Sequence, residues 1–151
     1  MSFFKNLFKE KGVKDVITLF HSPKNAVSTR VHTLLKQLNA TAVAHATEDQ
    51  ASDHSNQSKL ERTEFELDIQ EGAPTSDQLN SILEYLGPSK AGSVVDGATG
   101  TSDALRKFKQ NENAFQRPVT VDWNNGRAVV GDNESEIMKL VRTIPKETEK
   151  V

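Results

Sequence analysis

Hydrophobic and polar residues follow one another along the chain in blocks that predict alternating strands and helices. Residues 15–20, DVITLF, form an apolar, β-branched run with the length of a buried strand. From residue 26, apolar side chains recur at steps of three and four, which predicts an amphipathic helix that ends near Asn39. These apolar positions are Val27, Val31, Leu34, Leu35 and Leu38. Ser22 and Pro23 fit the N-cap and the first helical position of this helix.

The middle of the chain contains a weakly patterned stretch between two regular elements. Residues 40–59 are small and polar without a sustained period, which predicts a long flexible loop. Residues 62–69, RTEFELDI, alternate strictly between polar and apolar, which predicts an edge strand with one solvent-exposed face. A second helix is predicted to begin at residues 74–75 and to stop at the Gly-Pro pair 87–88. A glycine-rich loop over 89–100 follows it.

The distal part of the chain predicts a helix, a hairpin and a last helix. The helix covers roughly residues 102–113, and a strand covers 117–122. The turn Asn-Asn-Gly at 124–126 predicts a tight hairpin, because Asn and Gly accept the positive φ angles that such turns require. Residues 127–130 return as the partner strand. Asp132 is predicted to cap the final helix, whose apolar positions are Ile137, Met138, Leu140 and Val141.

The resulting order is β-α-β-α, a helical insertion, a β-hairpin and a final α-helix. A right-handed crossover makes the first two strands parallel, and the hairpin adds an antiparallel pair. This order predicts an α/β, thioredoxin-like domain over residues 14–142, with a mixed four-stranded sheet and helices on both faces. In such a domain the active-site loop is expected between the first strand and the first helix. An amphipathic segment, 1–13, precedes the domain, and a charged tail, 143–151, follows it.

Composition excludes several classes of function. The 151 residues carry a net charge of −2 with a pI near 6.1, which argues against a nucleic-acid partner. Apolar runs are too short for a membrane-spanning helix. The chain has no cysteine, and its four histidines are not paired at the i, i+4 spacing of a helical metal site. We therefore predict no disulfide, no cysteine nucleophile and no metal centre.

The first residues allow two interpretations. The segment MSFFKNLFKEKGVK places aromatic and leucine side chains at helical spacing, with lysines between them. A basic amphipathic start is typical of organelle-targeting segments, although this one has lysines where arginines and serines are usual. The alternative is a terminal helix or arm on the surface of the domain.

The loop after the first strand, FHSPKN, has the layout of an active-site loop with Asn25 where a nucleophile would stand. The exposed N–H groups of a helix start bind anions or carboxylates, and Lys24 and Arg30 could add positive charge. The alternative is that Ser22, Pro23 and Asn25 only cap a helix. We interpret His21 as a hydrogen-bonded loop residue.

Arg117 and Pro118 form a second candidate site, directly before the third strand. A cis peptide bond there would leave backbone groups of Gln116 and Arg117 free to pair with an extended or glutathione-like peptide. The alternative is a trans proline at a strand start, which sequence statistics favour. The candidate binding residues are therefore His21, Ser22, Lys24, Asn25, Arg117 and Pro118.

These motifs resemble the arsenate-reductase-like branch of the thioredoxin superfamily. His-Ser-Pro-Lys-Asn is similar to the branch's loop that presents a reactive cysteine, and Arg117-Pro118-Val119 is similar to its arginine before a cis-proline strand. The resemblance thus implies that Pro118 is cis and that Asn25 occupies the cysteine position. Asp132 stands where the branch has an arginine, and no arginine lies near residues 94–96. These departures predict that the chain does not reduce arsenate.

A longer resemblance, over roughly residues 14–142, is to a fungal family of mitochondrial proteins described as putative redox proteins with a thioredoxin-like fold. Its most specific part is RPVTVDWNNGRAVVGDNESE. The resemblance implies an oxidoreductase-type domain in mitochondria. Thiol–disulfide exchange needs a thiolate, which this chain lacks. Two hypotheses stay open: a redox protein in which a bound small thiol such as glutathione supplies the sulfur, and a non-enzymatic module that binds a peptide or glutathione in the same cleft.

Overall fold

A computed structural model describes residues 15–49 and 65–143 of the chain. The predicted amphipathic segment 1–13, the second part of the predicted loop at 50–59, and the predicted tail from residue 144 lie outside these residues. The remaining elements are described below with their observed bounds.

The strands form one sheet whose order is β2-β1-β3-β4. They are β1 (Asp15–Phe20), β2 (Phe65–Gln70), β3 (Val119–Asp122) and β4 (Arg127–Val130). β1 is parallel to β2 and antiparallel to β3, and β3 is antiparallel to β4. The predicted mixed four-stranded sheet is confirmed, and β2 lies at its edge as its alternating pattern predicted.

The described part of the chain contains five α-helices. They are α1 (Ala26–Asp49), α2 (Ser76–Leu86), α3 (Ala91–Val94), α4 (Thr101–Gln110) and α5 (Glu134–Arg142). Short 3₁₀ turns cover Pro88–Lys90 and Glu112–Ala114. The predicted start of α2 is confirmed, because Thr75 caps it and forms a reciprocal capping box with Gln78.

Two predicted loops are partly wrong. Helix α1 does not end at Asn39 but continues to Asp49, so the first half of the predicted loop 40–59 is helical. The stretch from 40 to 46 has alanine at every second position, and alanine is the strongest helix former. The predicted loop 89–100 contains α3, because Ala91 and Val94 are fully buried and join the core.

Two hydrophobic cores lie on opposite faces of the sheet. Helices α2, α3 and α4 cover the first, whose buried residues include Phe20, Leu79, Ile82, Val94, Phe108, Phe115 and Val121. Helices α1 and α5 cover the second, whose buried residues include Ile17, Leu19, Val31, Leu35, Phe65, Ile137 and Leu140. Strand β1 alternates between them, and its residues are among the most deeply buried in the described chain.

The predicted hairpin turn at 124–126 is confirmed. Gly126 has a φ of 67°, which favours glycine, and a Cβ at this position would lie 3.5 Å from the ring of Tyr85. Beside the turn, Arg127 forms an ion pair of 3.0 Å with the buried Asp122 and donates a hydrogen bond to the carbonyl of Leu140. The hairpin is therefore tied to the C-terminal end of α5.

Candidate functional site

The sheet brings three separate segments together at one end. Parallel strands β1 and β2 finish there, at Phe20 and Gln70, and the antiparallel β3 starts there, because Val119 pairs with Phe20. We call this the loop end and define it as residues 21–25, 71–75, 116–118 and 131–133. The candidate residues of the loop FHSPKN and of Arg117-Pro118 thus lie at the same end of the sheet.

The loop between β1 and α1 is a turn that ends in a helix cap. The N–H of Asn25 donates to the carbonyl of Ser22 at 3.0 Å, which closes the turn. The side-chain oxygen of Asn25 accepts hydrogen bonds from the N–H groups of Val27, at 2.8 Å, and Ser28, at 3.4 Å. The predicted cap at Ser22 and first helical position at Pro23 are therefore wrong, since the helix begins at Ala26. Asn25 uses its amide oxygen to hold the helix start.

His21 is a buried, hydrogen-bonded residue, as predicted. Its Nδ1 lies 2.6 Å from the hydroxyl oxygen of Ser28, and its backbone N–H donates to the carbonyl of Gln70. The same Ser28 oxygen accepts a hydrogen bond of 2.8 Å from the N–H of Ser22. Ser28, which is fully buried on α1, therefore fixes two consecutive residues of the loop.

A second imidazole lies against the first. The rings of His21 and His32 are tilted by 60° with centroids 4.7 Å apart. Burial lowers the pKa of His32 from its ordinary value, and the charges of His21 and Lys36 lower it further, whereas Glu71 acts in the opposite direction. The neutral form of His32 is therefore favoured by its surroundings.

The Arg117-Pro118 peptide bond is cis. The guanidinium of Arg117 lies 5.4 Å from the centre of the Phe115 ring, and its Nη2 donates to the carbonyl of Glu71 at 3.3 Å. Its Nε is buried without a hydrogen-bond partner. Burial lowers the pKa of Arg117, yet a guanidinium stays charged at neutral pH. The side chain of Arg117 is thus positively charged and fixed by its contacts with Phe115 and Glu71, while its Nε has no hydrogen-bond partner.

Two predictions about groups available to a ligand at the loop end, one for Gln116 and one for Arg30, need correction. The backbone N–H of Gln116, expected to be free for a ligand, donates to the carbonyl of Val94 at 2.7 Å. Arg30, expected to add positive charge to the helix start, forms an ion pair of 2.9 Å with Asp132. The carboxylate of Asp132 offsets the charge of Arg30. The exposed Lys24 lies two residues before Ala26 and is closer in sequence to the start of α1 than Arg30 is.

An open polar depression of about 340 Å³ lies beside Gln116, the residue before Arg117. Gln116 lines it, and the other walls include Asp96 and, from the end of α4, Lys107 and Gln110. Next to its lining residues Asp96 and Gln116, Val95 and Phe115 form an isolated antiparallel bridge.

The loop end carries positive charge and has no thiol. It combines the start of α1, a held guanidinium and a buried histidine, and none of these supplies a thiolate. Sequence reasoning missed Ser28, His32 and Glu71. Ser28 and His32 are four residues apart on one helical face, and this spacing was the only signal that could have found them.

Within residues 15–49 and 65–143, no three acidic or histidine side chains converge as metal ligands would. Nor does any helix there have the length and apolar character needed to cross a membrane.

The fold is that of an α/β protein with a mixed four-stranded sheet. Residues 4–132 match the family described as "Protein of unknown function (DUF1687)", and the chain belongs to this family. The chain is also similar to "Putative redox protein fmp46, mitochondrial" of Schizosaccharomyces pombe, at 41% identity over 63 residues. The match covers 42% of this chain and 52% of the relative, so the chain spans about half the length of that protein.

Proposed function

We propose that this chain is a mitochondrial, thioredoxin-like protein that binds a small thiol or a thiol-containing peptide at its loop end. The relative's name supports the mitochondrial location and a link to redox chemistry. The strand order, the parallel β1–β2 pair and the β3–β4 hairpin support the thioredoxin-like fold. The bound molecule would supply the sulfur, since the chain has no cysteine.

One observation carries the proposal. Val119 pairs with Phe20, so the cis Arg117-Pro118 peptide comes next to the residues that lead from β1 into α1. A ligand in this position meets the held guanidinium of Arg117 and the positive pole of α1. Glutathione fits this chemistry, because it is an extended tripeptide with two carboxylates and a thiol. Its carboxylates would pair with Arg117 and with the helix start near Lys24.

Calorimetric titration with reduced glutathione tests the binding. We expect Arg117→Gln to weaken binding by at least about tenfold, because a charge-assisted hydrogen bond contributes about 1.5–3 kcal/mol. Arg106→Gln is the matched control, since Arg106 is an exposed residue of α4 and pairs with Asp103. Equal affinities of the wild type and Arg117→Gln, with the fold of both verified by circular dichroism, would refute this site.

A redox reaction is the second candidate function, and the relative's name favours it. Its first step would be attack by the thiolate of bound glutathione on a disulfide, which releases one thiol and leaves a mixed disulfide. A second glutathione would then release the other thiol and form oxidised glutathione, so that both electrons come from glutathione. The protein's part would be to orient the thiolate.

A glutathione-dependent disulfide-reduction assay separates the two functions. Turnover above that of glutathione alone, lost in Arg117→Gln and kept in Arg106→Gln, would support the redox reaction. Binding without added turnover would leave the chain as a non-enzymatic glutathione- or peptide-binding module.

A further inference from the structure

Strand β2 is an edge strand whose outer side presents backbone hydrogen-bonding groups. It is the first strand in the order β2-β1-β3-β4, so no described strand lies beyond it. The carbonyl of Gln70 accepts a hydrogen bond from the N–H of His21, which shows that the backbone groups of Gln70 and of Asp68 face β1. The N–H and C=O groups of Leu67 and Ile69 therefore point outward, where an extended chain segment can pair with them.

The two faces of β2 differ in what covers them. Phe65, Leu67 and Ile69 pack into the second core, on the side of the sheet that α1 and α5 cover. Glu66 and Asp68 lie on the other face, because side chains alternate along a strand. Glu66 is exposed and Asp68 is half-buried, and the first core contains no residue of β2. Strand β2 thus has one apolar face and one acidic face.

The carboxylate of Asp68 is fixed by one of its oxygens. Its Oδ2 accepts hydrogen bonds from the hydroxyl of Thr18, at 3.1 Å, and from the side-chain amide of Gln70, at 3.3 Å. Thr18 is 2% exposed, and its oxygen accepts the indole N–H of Trp123 at 2.8 Å. Within residues 15–49 and 65–143, no group donates to Oδ1 of Asp68 and no cation pairs with Glu66.

The two carboxylates determine which kind of strand the edge accepts. A second copy of β2 would bring its own Glu66 and Asp68 against them, and like charges across paired strands are destabilising. Lysine or arginine at every second position of an added strand would instead place cations on the acidic face, where opposite charges stabilise the pair. The positions between them would lie beside Leu67 and Ile69, which favours apolar side chains.

We propose that the outer edge of β2 binds an extended, basic segment of a partner protein as an added strand, with its cations facing Glu66 and Asp68. Hydrogen bonds to the backbone of Leu67 and Ile69 supply affinity, whereas the two carboxylates select the partner. Neither carboxylate belongs to the loop end, so this interaction is independent of the proposed function.

Titration of the full chain with a labelled peptide, in which lysine and valine alternate over the length of β2, tests the edge. Fluorescence anisotropy measures the affinity, and hydrogen exchange followed by nuclear magnetic resonance locates the contact. We expect the amides of Leu67 and Ile69 to exchange more slowly in the complex, because they gain hydrogen bonds. The amides of Asp68 and Gln70 face β1 and should change little. A peptide with glutamate in place of lysine should not bind.

Neutral variants separate the charges from the backbone contacts. We expect Asp68→Asn and Glu66→Gln each to weaken binding of the lysine peptide by about two- to fivefold, because each removes one cross-strand ion pair. Glu84→Gln is the matched control, since Glu84 is an exposed carboxylate of α2. Methylation of the peptide's backbone nitrogens should also weaken binding, because it removes the donors that pair with the edge.

Four results would overturn the proposal. They are equal affinities for the lysine and glutamate peptides, unchanged exchange at Leu67 and Ile69 in the complex, the same affinity in Asp68→Asn as in Glu84→Gln, and no binding of the lysine peptide. Slow exchange of the Leu67 and Ile69 amides before any peptide is added would also count against it, since the edge would then be closed to a partner. Failure of glutathione to bind would refute only the function proposed for the loop end.

Discussion

Two helices begin at the loop end and cover the same face of the sheet, yet their starts differ in charge. Helix α1 is capped by Asn25, and its first turn has no acidic side chain. Helix α5 is capped by Asn133, whose side-chain oxygen accepts the N–H of Glu136 at 3.2 Å. The first turn of α5 carries two carboxylates, Glu134 and Glu136.

The comparison shows which helix start is available to an external anion. The N-terminus of a helix carries about half a positive charge, and nearby carboxylates stabilise it. Glu134 and Glu136 supply such carboxylates to α5, whereas α1 has none and is preceded by Lys24. The chain therefore leaves the start of α1 uncompensated by residues of its own first turn, which is the charge pattern that a site for a carboxylate requires.

Alanine in place of the two caps should give the largest difference. We expect Asn25→Ala to lower the free energy of unfolding by about 1–2 kcal/mol and Asn133→Ala by about 0.5–1 kcal/mol. Asn25 accepts two N–H groups in a half-buried position, whereas Asn133 is exposed and water can replace it. Urea unfolding measures both, with the exposed Asn113→Ala as control. Equal losses would mean that the two starts are energetically alike.

Cysteine at the two cap positions probes the electrostatic potential directly. We expect the pKa of the thiol in Asn25→Cys to fall below its free value of about 8.5, because the helix pole stabilises the thiolate. In Asn133→Cys, the carboxylates of Glu134 and Glu136 should offset that effect. A difference of one unit corresponds to about 1.4 kcal/mol.

Ultraviolet absorbance of the thiolate against pH measures these values. If the thiol of Asn25→Cys keeps its free value, the start of α1 does not stabilise negative charge. The interpretation of the β1–α1 loop as an anion site would then fail.

A glutamate added to α1 should remove the difference between the two starts. Ala26 is exposed at the first helical position, and Ala26→Glu supplies the carboxylate that α1 lacks. We expect the free energy of unfolding to rise by about 0.3–1 kcal/mol and the affinity for glutathione to fall. Ala26→Gln is the isosteric control. A gain in stability without a loss of affinity would place the ligand away from the helix start.

The ion pair between Arg30 and Asp132 should give the smallest effect. The hydrogen bond from Arg30 holds the pKa of the exposed Asp132 below its usual value. A carboxyl whose pKa is lowered by folding stabilises the protein above its unfolded value, about 3.9, and loses that contribution as the pH falls through the folded value.

Arg30→Gln should therefore return the pKa of Asp132 toward its usual value while the unfolding midpoint at neutral pH stays unchanged. Carbon NMR titration of the carboxyl group measures this shift. An unchanged pKa in Arg30→Gln would show that the two helix starts are not linked through this pair.

The sheet could be predicted because its signals are local. The run DVITLF, the alternation through Phe65, Leu67 and Ile69, and the Asn-Gly turn each specify their element within a few residues. Their pairing followed from connection rules. The two cores on opposite faces follow from the two-residue period of a β-strand, since alternate side chains of β1 point to opposite sides of the sheet.

The helix starts could be predicted only to within a few residues. Ser22 and Asp132 were expected to cap the helices that Asn25 and Asn133 cap. Ser, Asp and Asn are comparable caps, and the backbone path decides which of them meets the free N–H groups. At α1, the turn from Ser22 to Asn25 delays the helix by three residues.

The contacts of the loop end could not be predicted, because they join distant segments. Arg117 meets the carbonyl of Glu71, and His21 meets Ser28 through a turn whose path is not encoded in a periodic pattern. The cis form of the Arg117-Pro118 bond was expected only from the family resemblance, since single-sequence statistics favour a trans proline. Specific side-chain networks therefore require the assembled fold.

The single tryptophan of the chain lies where it can serve as an optical reporter. Trp123 follows β3 at the end of the sheet opposite the loop end, and its indole N–H donates to the hydroxyl of Thr18 at 2.8 Å. Its ring contacts those of Phe20 and Tyr85 edge to face. Its fluorescence thus follows the docking of the hairpin onto the central strand and, through Phe20, the packing beneath the loop end. A change in emission on adding a ligand would indicate that binding alters the packing of Phe20 against Trp123.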